Sequence, residues 1–304
     1  MFGSNQRTLK NKVCCLGTGV HSGQKVSMTL LPAQEDTGIS FIRRDVTDKD
    51  PIVSASYLNV TNTMLGTTLT NKDGVQVCTV EHLMSALWGC GIDNCIIELD
   101  AAEVPIMDGS SEPFVFLIEC AGIKEQNKKR RVVEILKEIK VDEDGKGDGF
   151  LSIKPSEKFT VNLEIDFGDK VIAQQQWNFD ARDASFKTEV SRARTFGFEH
   201  EVEKLRSMGL ARGGSLDNAI VVGQDGILNE GGLRYSDEFV RHKVLDCIGD
   251  MFLAGAALKG HIHGYRSGHG LNNKLLRALF ADKEAWRFIT PTEEGGSFAN
   301  AAAA

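Results

Sequence analysis

Along residues 236–258 (SDEFVRHKVLDCIGDMFLAGAAL) the apolar positions Val244, Ile248, Met251 and Phe252 fall at i, i+4, i+7 and i+8, the spacing of a helix with one buried stripe. Ser236 is placed to cap this helix, and Asp237 and Glu238 lie in a first turn where the helix dipole favours negative charge. Gly255 falls on the same stripe, where a missing side chain would let another element pack close. Residues 79–88 (TVEHLMSALW) repeat the pattern: Val80, Leu83, Met84, Leu87 and Trp88 make an amphipathic helix capped by Thr79 and ended by Gly89 and Gly91. Further helices are predicted from the turn at residues 105–114 to about Cys120, closed by Gly122, over residues 201–207, and from about Leu271 to Trp286.

The remaining apolar runs are short and read as strands. Residues 13–31 form two of them around a Gly-rich turn that carries His21, itself read as a solvated turn residue. Others are expected at residues 39–43, 67–70, 75–78, 92–99, 132–141, 150–154, 160–167, 171–179, 219–222 and 260–265, with a tight turn at residues 142–149. Residues 124–131 (KEQNKKRR) hold no large apolar side chain and read as a solvated linker between two halves, 1–125 and 126–304. The Gly/Ala-rich tail at residues 295–304 reads as disordered. Strands joined by hairpin turns, and no strict βαβ repeat, predict α+β layers rather than a doubly wound sheet. Each half supplies a sheet and about two helices, which suggests a duplicated unit.

Composition narrows the class. With 304 residues, 41% hydrophobic and 25% charged, the chain has the makings of two globular domains. A net charge of −7 argues against a general nucleic-acid binder. Residues 1–12 are polar and no apolar run approaches the roughly 20 residues of a membrane span, so neither a signal peptide nor a transmembrane segment is expected. Seven cysteines without a C-x-x-C pair fit reduced thiols in a cytoplasmic protein. A monomer is expected.

The chemistry begins on the 236–258 helix, where His242, Asp246 and Asp250 fall together on the side away from the apolar stripe. His242 and Asp246, one turn apart, can converge on one cation, although an isolated H-x-x-x-D is more often a solvated face. Glu81 and His82 share the first turn of the 79–88 helix, which lacks the second histidine of an H-E-x-x-H site. Taken together, His82, His242 and Asp246 are two neutral nitrogens and one carboxylate, a set used at catalytic zinc with one position left for water. Glu81 lies beside a ligand without being needed as one, and His269, in a Gly-flanked loop before a helix, is a second acid/base candidate. His261-x-His263 is a rival pair, on one face of a strand but without a neighbouring carboxylate.

The segments NTMLGTTL, TVEHLMSAL, VPIMDGS, SRARTFGF, EFVRHKVLDCIGD and YRSGHGLNNKLLRAL resemble the UDP-3-O-acyl-N-acetylglucosamine deacetylases, zinc amidases of lipid A synthesis in Gram-negative bacteria. The likeness runs from about Gly17 to Trp286. It implies zinc on His82, His242 and Asp246, Glu81 as general base, and His269 protonating the leaving amine with Asp250 orienting it. It further implies Thr195 as a hydroxyl donor to the oxyanion, Lys243 against a substrate phosphate and Phe196 as a wall of the site. Phe167 is implied to stack on the uracil, and Arg266 is placed with the substrate. The implied fold is two α+β domains with helices between two sheets, each with an insert, the second (about 195–233) forming an apolar passage for the acyl chain. Gly66 stands where a cysteine is common in that family, so pocket shape and metal sensitivity are expected to differ. Two alternatives stay open: a zinc amidase acting on another N-acetyl sugar nucleotide, and a non-catalytic binder of uridine nucleotides or lipid precursors with a structural metal.

Overall fold

The computed structural model describes residues 3–143, 148–181, 185–291 and 298–300. The first half contains β1 (Asn5–Leu9), β2 (Val13–Thr18), β3 (Lys25–Pro32), β4 (Ile39–Arg43), β5 (Ile52–Ser54), β6 (Val60–Asn62), β7 (Thr68–Thr70), β8 (Gln76–Val77), α1 (Glu81–Cys90), β9 (Cys95–Leu99) and α2 (Glu112–Ala121). The second contains β10 (Ile123–Lys129), β11 (Val132–Ile135), β12 (Ile139–Asp142), β13 (Phe150–Lys154), β14 (Thr160–Ile165), β15 (Gln175–Asp180), β16 (Phe196–Phe198), α3 (Glu199–Ser207), β17 (Ile220–Val222), α4 (Glu238–Phe252), β18 (Ala257–Lys259), β19 (His261–Tyr265), α5 (His269–Ala281), β20 (Trp286–Pro291) and β21 (Phe298–Asn300).

Two five-stranded sheets repeat one topology. The first runs β2-β3-β9-β4-β5 and the second β12-β13-β19-β14-β15. In each, two antiparallel neighbours lead to a central strand that is parallel to the fourth, which pairs antiparallel with the fifth. In each, a helix (α1 or α4) precedes the central strand, another (α2 or α5) follows it, and the insert lies between the fifth strand and the first of these helices. The first insert is the β6-β7-β8 sheet, and the second holds β16 and β17, paired in parallel, with α3 between them. This is the α+β arrangement expected, and the duplication is plain in the strand order.

The core forms where the halves meet. α1 packs against α4, α4 lies on β14 and β15, and α5 on β12 and β13. Every residue of α1 except Gly89 is buried, as is every residue of α4 except Arg241 and Lys243. A side chain on Gly249 of α4 would begin 2.0 Å from the Glu81 carbonyl oxygen, so the two helices cross at a point only glycine allows. The close approach expected at Gly255 is not there: that residue lies in the turn after α4 with φ +79, and no atom comes within 4 Å of where its Cβ would be.

Several boundaries depart from expectation. α4 ends at Phe252 because Ala257–Lys259 leaves to pair in parallel with β11, and its cap residue is Asp237 rather than Ser236, without a side-chain bond. Thr79 does not cap α1, since at φ +58 its hydroxyl turns to Glu103 at 3.1 Å. Gly91, not Gly89, closes that helix in a left-handed conformation. The basic segment read as a linker is β10, antiparallel to β1, so its exposed lysines sit on a two-stranded ribbon. The run at residues 132–141 divides into β11 and β12, which belong to different sheets, and the one at 171–179 is strand only from Gln175. The last helix stops at Ala281, and Trp286 opens β20, which pairs with β11. Of the tail, Phe298–Asn300 pairs with β20, while residues 295–297 and 301–304 lie outside the described residues, as do 144–147 of the expected turn. Among the described residues no helix is long and apolar enough to cross a membrane.

Candidate active site and metal centre

The close crossing of α1 and α4 brings their polar groups together in the interior. His82, in the first turn of α1, and His242 and Asp246, one turn apart on α4, each offer a ligand atom within 4.8 Å of the others. All three are buried, so the solvated-face reading of H-x-x-x-D does not hold here. His242 Nε2 lies 3.3 Å and His82 Nε2 3.5 Å from Asp246 Oδ1, and the two imidazoles meet edge to face at 4.9 Å. The Ala193 carbonyl bonds His242 Nδ1 at 3.0 Å, which fixes the tautomer that leaves Nε2 with its lone pair toward the centre. Burial pushes His242 down to about 4, so it is neutral at pH 7. Burial opposes ionisation of Asp246, yet His242, Lys243 and His82 hold its carboxyl well below the usual carboxylate range.

These residues fit a cation. Asp246 Oδ1 is buried and accepts no hydrogen bond, although two imidazole nitrogens face it. A buried carboxylate oxygen with no donor is costly in an apolar interior, and a divalent ion held between it and two imidazole nitrogens removes that cost. Among the described residues this is the one such group of three. The rival His261 and His263 stand on β19 with ring centroids 6.5 Å apart, His261 bonded to the Thr160 hydroxyl at 2.7 Å, and take no part in it.

Two acid/base groups flank the cluster. Glu81 is buried and its pKa is raised by that burial, while its Oε2 accepts the Thr67 main-chain N–H at 2.9 Å. A Cβ on Gly66, whose φ is +157, would stand 2.9 Å from Glu81 Oε1, so the missing side chain leaves room beside that carboxylate. His269 opens α5, and its Nδ1 meets Asp250 Oδ2 at 2.8 Å. Burial disfavours its charged form, but Asp250, through charge and that bond, with Glu81 and Asp246 behind it, outweighs burial and pushes it up to about 9. Its Nε2 faces Asp246 Oδ2 at 3.9 Å.

Asp250 is itself held by residues that the sequence did not single out. Thr67 donates its hydroxyl to Asp250 Oδ1 at 2.6 Å, and Asn272 donates its amide to Oδ2 at 2.8 Å. Thr67 thereby touches both acid/base systems. Only its burial marks it, and a lone threonine just before β7 carries no spacing that reveals this. Asn272 follows His269 by three positions, so its place on the same face of α5 was open to reading.

The remaining candidates line the approaches. Thr195 follows the Ala193 carbonyl that bonds His242, and its main-chain N–H donates to the Gly109 carbonyl at 2.8 Å. Phe196 packs edge-on to Phe239 at 5.0 Å and to His242 at 6.2 Å. Phe167, 46% exposed, stands edge-on to Phe196 at 5.5 Å and Phe198 at 5.9 Å, which makes an aromatic wall leading away from the cluster. Beyond Phe198 an open cleft of about 520 Å³ lies between the second insert and the Asp169–Lys170 loop. Lys243 donates to Asp246 Oδ2 at 3.1 Å, and Arg266 is bound to Asp166 at 2.7 Å, next to Phe167.

The duplicated α+β scaffold buries a two-histidine, one-carboxylate cluster that could hold a metal ion, with the Glu81 carboxylate and the Asp250-bound His269 beside it, the residue set of a candidate metal-dependent enzyme. Comparison with known proteins is more specific. The model of the family described as LpxC: UDP-3-O-acyl N-acetylglycosamine deacetylase matches residues 6–281. A Marinobacter nauticus protein is 56% identical over 293 residues, covering 95% of this chain and 94% of its own. A Hahella chejuensis protein is 54% identical over 294 residues, 95% of each, and one from Chromohalobacter salexigens 56% over 289 residues, 94% of this chain and 93% of its own. All three carry the name UDP-3-O-acyl-N-acetylglucosamine deacetylase. The chain belongs to this family.

Proposed function

We infer that this chain hydrolyses the N-acetyl group of UDP-3-O-acyl-N-acetylglucosamine, releasing acetate and a free 2-amine, as a step of lipid A biosynthesis. The observation that carries the reading is the meeting of His82 on α1 with His242 and Asp246 on α4, beside a Glu81 carboxylate that is not part of the triad. These three residues would hold zinc, which when bound lowers the pKa of a water and offsets negative charge on the amide oxygen. Glu81, whose carboxylate is made more basic by burial, is poised to take a proton from the attacking water. As the water oxygen bonds to the carbonyl carbon, the Thr195 hydroxyl donates to the oxygen that becomes negative. His269, protonated through its contact with Asp250, delivers a proton to the nitrogen as the C–N bond breaks. Phe196 and Phe167 form the wall along which the uridine and sugar lie, with Lys243 and Arg266 for the phosphates and the second insert for the acyl chain.

The test pairs metal analysis with acetate release. Wild type is expected to contain one zinc per chain and to turn over the 3-O-acylated substrate far faster than its unacylated analogue. Glu81→Ala should keep the zinc and lose about 100- to 10,000-fold in kcat. Indifference to the acyl chain would shift the substrate to another N-acetyl sugar nucleotide, and an inert wild type with bound zinc would make this a binding protein.

A further inference from the structure

One fully buried acid takes no part in that chemistry. Glu238, in the first turn of α4, is 0% exposed and accepts four N–H groups: the Arg194 main chain at 3.0 Å, Arg194 Nε at 2.9 Å, Arg194 Nη2 at 3.2 Å and the Arg234 main chain at 2.5 Å. Four donors on one carboxylate offset the cost of burying its charge, and the helix N-terminus adds to them. Glu238 stands one turn before His242 on α4, and the chain that lies against both is residues 193–195. Ala193 gives its carbonyl to His242, Arg194 gives its N–H to Glu238, and Thr195 gives its N–H to the Gly109 carbonyl from the other half. The Arg234 side chain completes the ring by donating to the Arg192 carbonyl at 2.9 Å and to Asp108 at 2.8 Å, next to Gly109.

We propose that Glu238, through Arg194, is a positioning residue that sets the Thr195 hydroxyl against the His82–His242–Asp246 cluster. The assignment rests on the reading of Thr195 as the oxyanion donor. Two contacts spaced one helical turn apart fix both the height and the angle of the 193–195 segment along α4. Thr195 is tied at its N–H to the Gly109 carbonyl and at its own carbonyl to the Ile220 N–H at 2.8 Å, and the Arg194–Glu238 contact adds the second point at which the segment is registered on α4 beside the Ala193–His242 bond. A hydroxyl has to reach within hydrogen-bond distance of the oxygen that becomes negative, and a displacement of about 1 Å costs up to about 100-fold. Arg194 can bring its own guanidinium only because Glu238 neutralises it in the interior, and the Arg194 bond to the Gly232 carbonyl at 2.8 Å closes the other side. The carboxylate thus acts on chemistry it does not touch.

The experiment is a double-mutant cycle on the zinc-loaded full chain, with kcat, KM, zinc content and melting temperature measured for each variant. Glu238→Gln keeps the shape and removes an acceptor, and Arg194→Lys keeps the charge and removes the fork. Each is expected to lower kcat by about 10- to 100-fold with KM changed less than about 3-fold and zinc retained. In a Thr195→Val background the same substitutions should change kcat by less than about 2-fold, because the group they position is already gone. Losses that multiply in the double variant overturn the proposal, as does a fall in kcat that tracks loss of zinc or of folding in both Glu238→Gln and Arg194→Lys. A Thr195→Val variant with full kcat removes the Thr195 reading and this inference together, while leaving the Glu81 test of the deacetylase reading standing.

Discussion

The two halves share a sheet order and a helix plan, yet they contribute unequally to the site. α1 of the first half brings Glu81 and His82, both from its first turn, and apart from Ser85 and the partly exposed Gly89 the rest of that helix is apolar core. α4, its counterpart, spreads His242, Asp246 and Asp250 over two turns, and α5 adds His269 and Asn272. α2, the counterpart of α5, contributes nothing comparable: at its N-terminus Ser111 bonds the His82 carbonyl at 2.7 Å. The inserts are matched more evenly, with Thr67 entering from the first and Thr195 standing at the start of the second. Duplication thus supplies a symmetrical way to bury two helices against each other. The asymmetry lies in which polar side chains each helix carries into that contact.

The sharpest way to break this comparison is to remove the acid that only the second half carries. His269→Ala is expected to lower kcat by about 100- to 10,000-fold while zinc stays bound. Its folded-state pKa, about 9, lies above the ordinary value of 6.5, so the imidazolium persists through neutral pH and is lost as pH rises through about 9. A cation on the neighbouring triad repels that charge and moves the alkaline limb to lower pH. The wild-type pH–rate profile should therefore fall on the alkaline side at or below pH 9, and the acid limb should report Glu81. An alkaline limb that survives in His269→Ala takes the proton donor away from this residue.

A smaller effect tests the contact itself. Gly249→Ala places a methyl 2.0 Å from the Glu81 carbonyl, so the helices must part. Overpacking of this kind costs typically about 1–3 kcal/mol. Because the contact also spaces His82 from His242 and Asp246, zinc affinity should fall along with the melting temperature. Full zinc affinity in a destabilised Gly249→Ala would show that the triad tolerates movement between the halves.

Gly249 also shows how far the sequence could be read. It shares a helical face with His242, Asp246 and Asp250, and that face, polar by composition, is the one pressed against α1. Periodicity marked the apolar stripe of α4 as the buried side and left the opposite side to water, whereas α4 is buried on both. The metal-ligand candidates were legible all the same, because residue type and one-turn spacing survive that error. The Glu238–Arg194 pair and Thr67 were not, since each depends on a partner more than 40 positions away. Element ends failed for a related reason: β18 and β20 leave their helical patterns to pair with β11, a tertiary contact that no local window contains.

Thr67 sharpens the comparison from the first half. Thr67→Val removes the hydroxyl given to Asp250 and keeps the main-chain N–H given to Glu81. The loss of one hydrogen bond, about 1 kcal/mol, corresponds to roughly a 5-fold fall in kcat with zinc unchanged. A fall as deep as that of His269→Ala would place the hydroxyl among the reacting groups.

The smallest effect is expected on the face of the second sheet that the duplication turns away from the centre. His263 is exposed on β19, its ring edge-on to Phe150 at 5.2 Å, and its partner His261 is committed to Thr160. Neither ring reaches the α1–α4 contact, and no carboxylate joins them in a ligand group among the described residues. His263→Gln should therefore leave zinc stoichiometry and kcat unchanged and shift stability by no more than about 0.5 kcal/mol. Loss of a metal equivalent in this variant would mean that the second half carries a cation on the outer face of its central strand as well, and that its greater share of the chemistry extends beyond the helices.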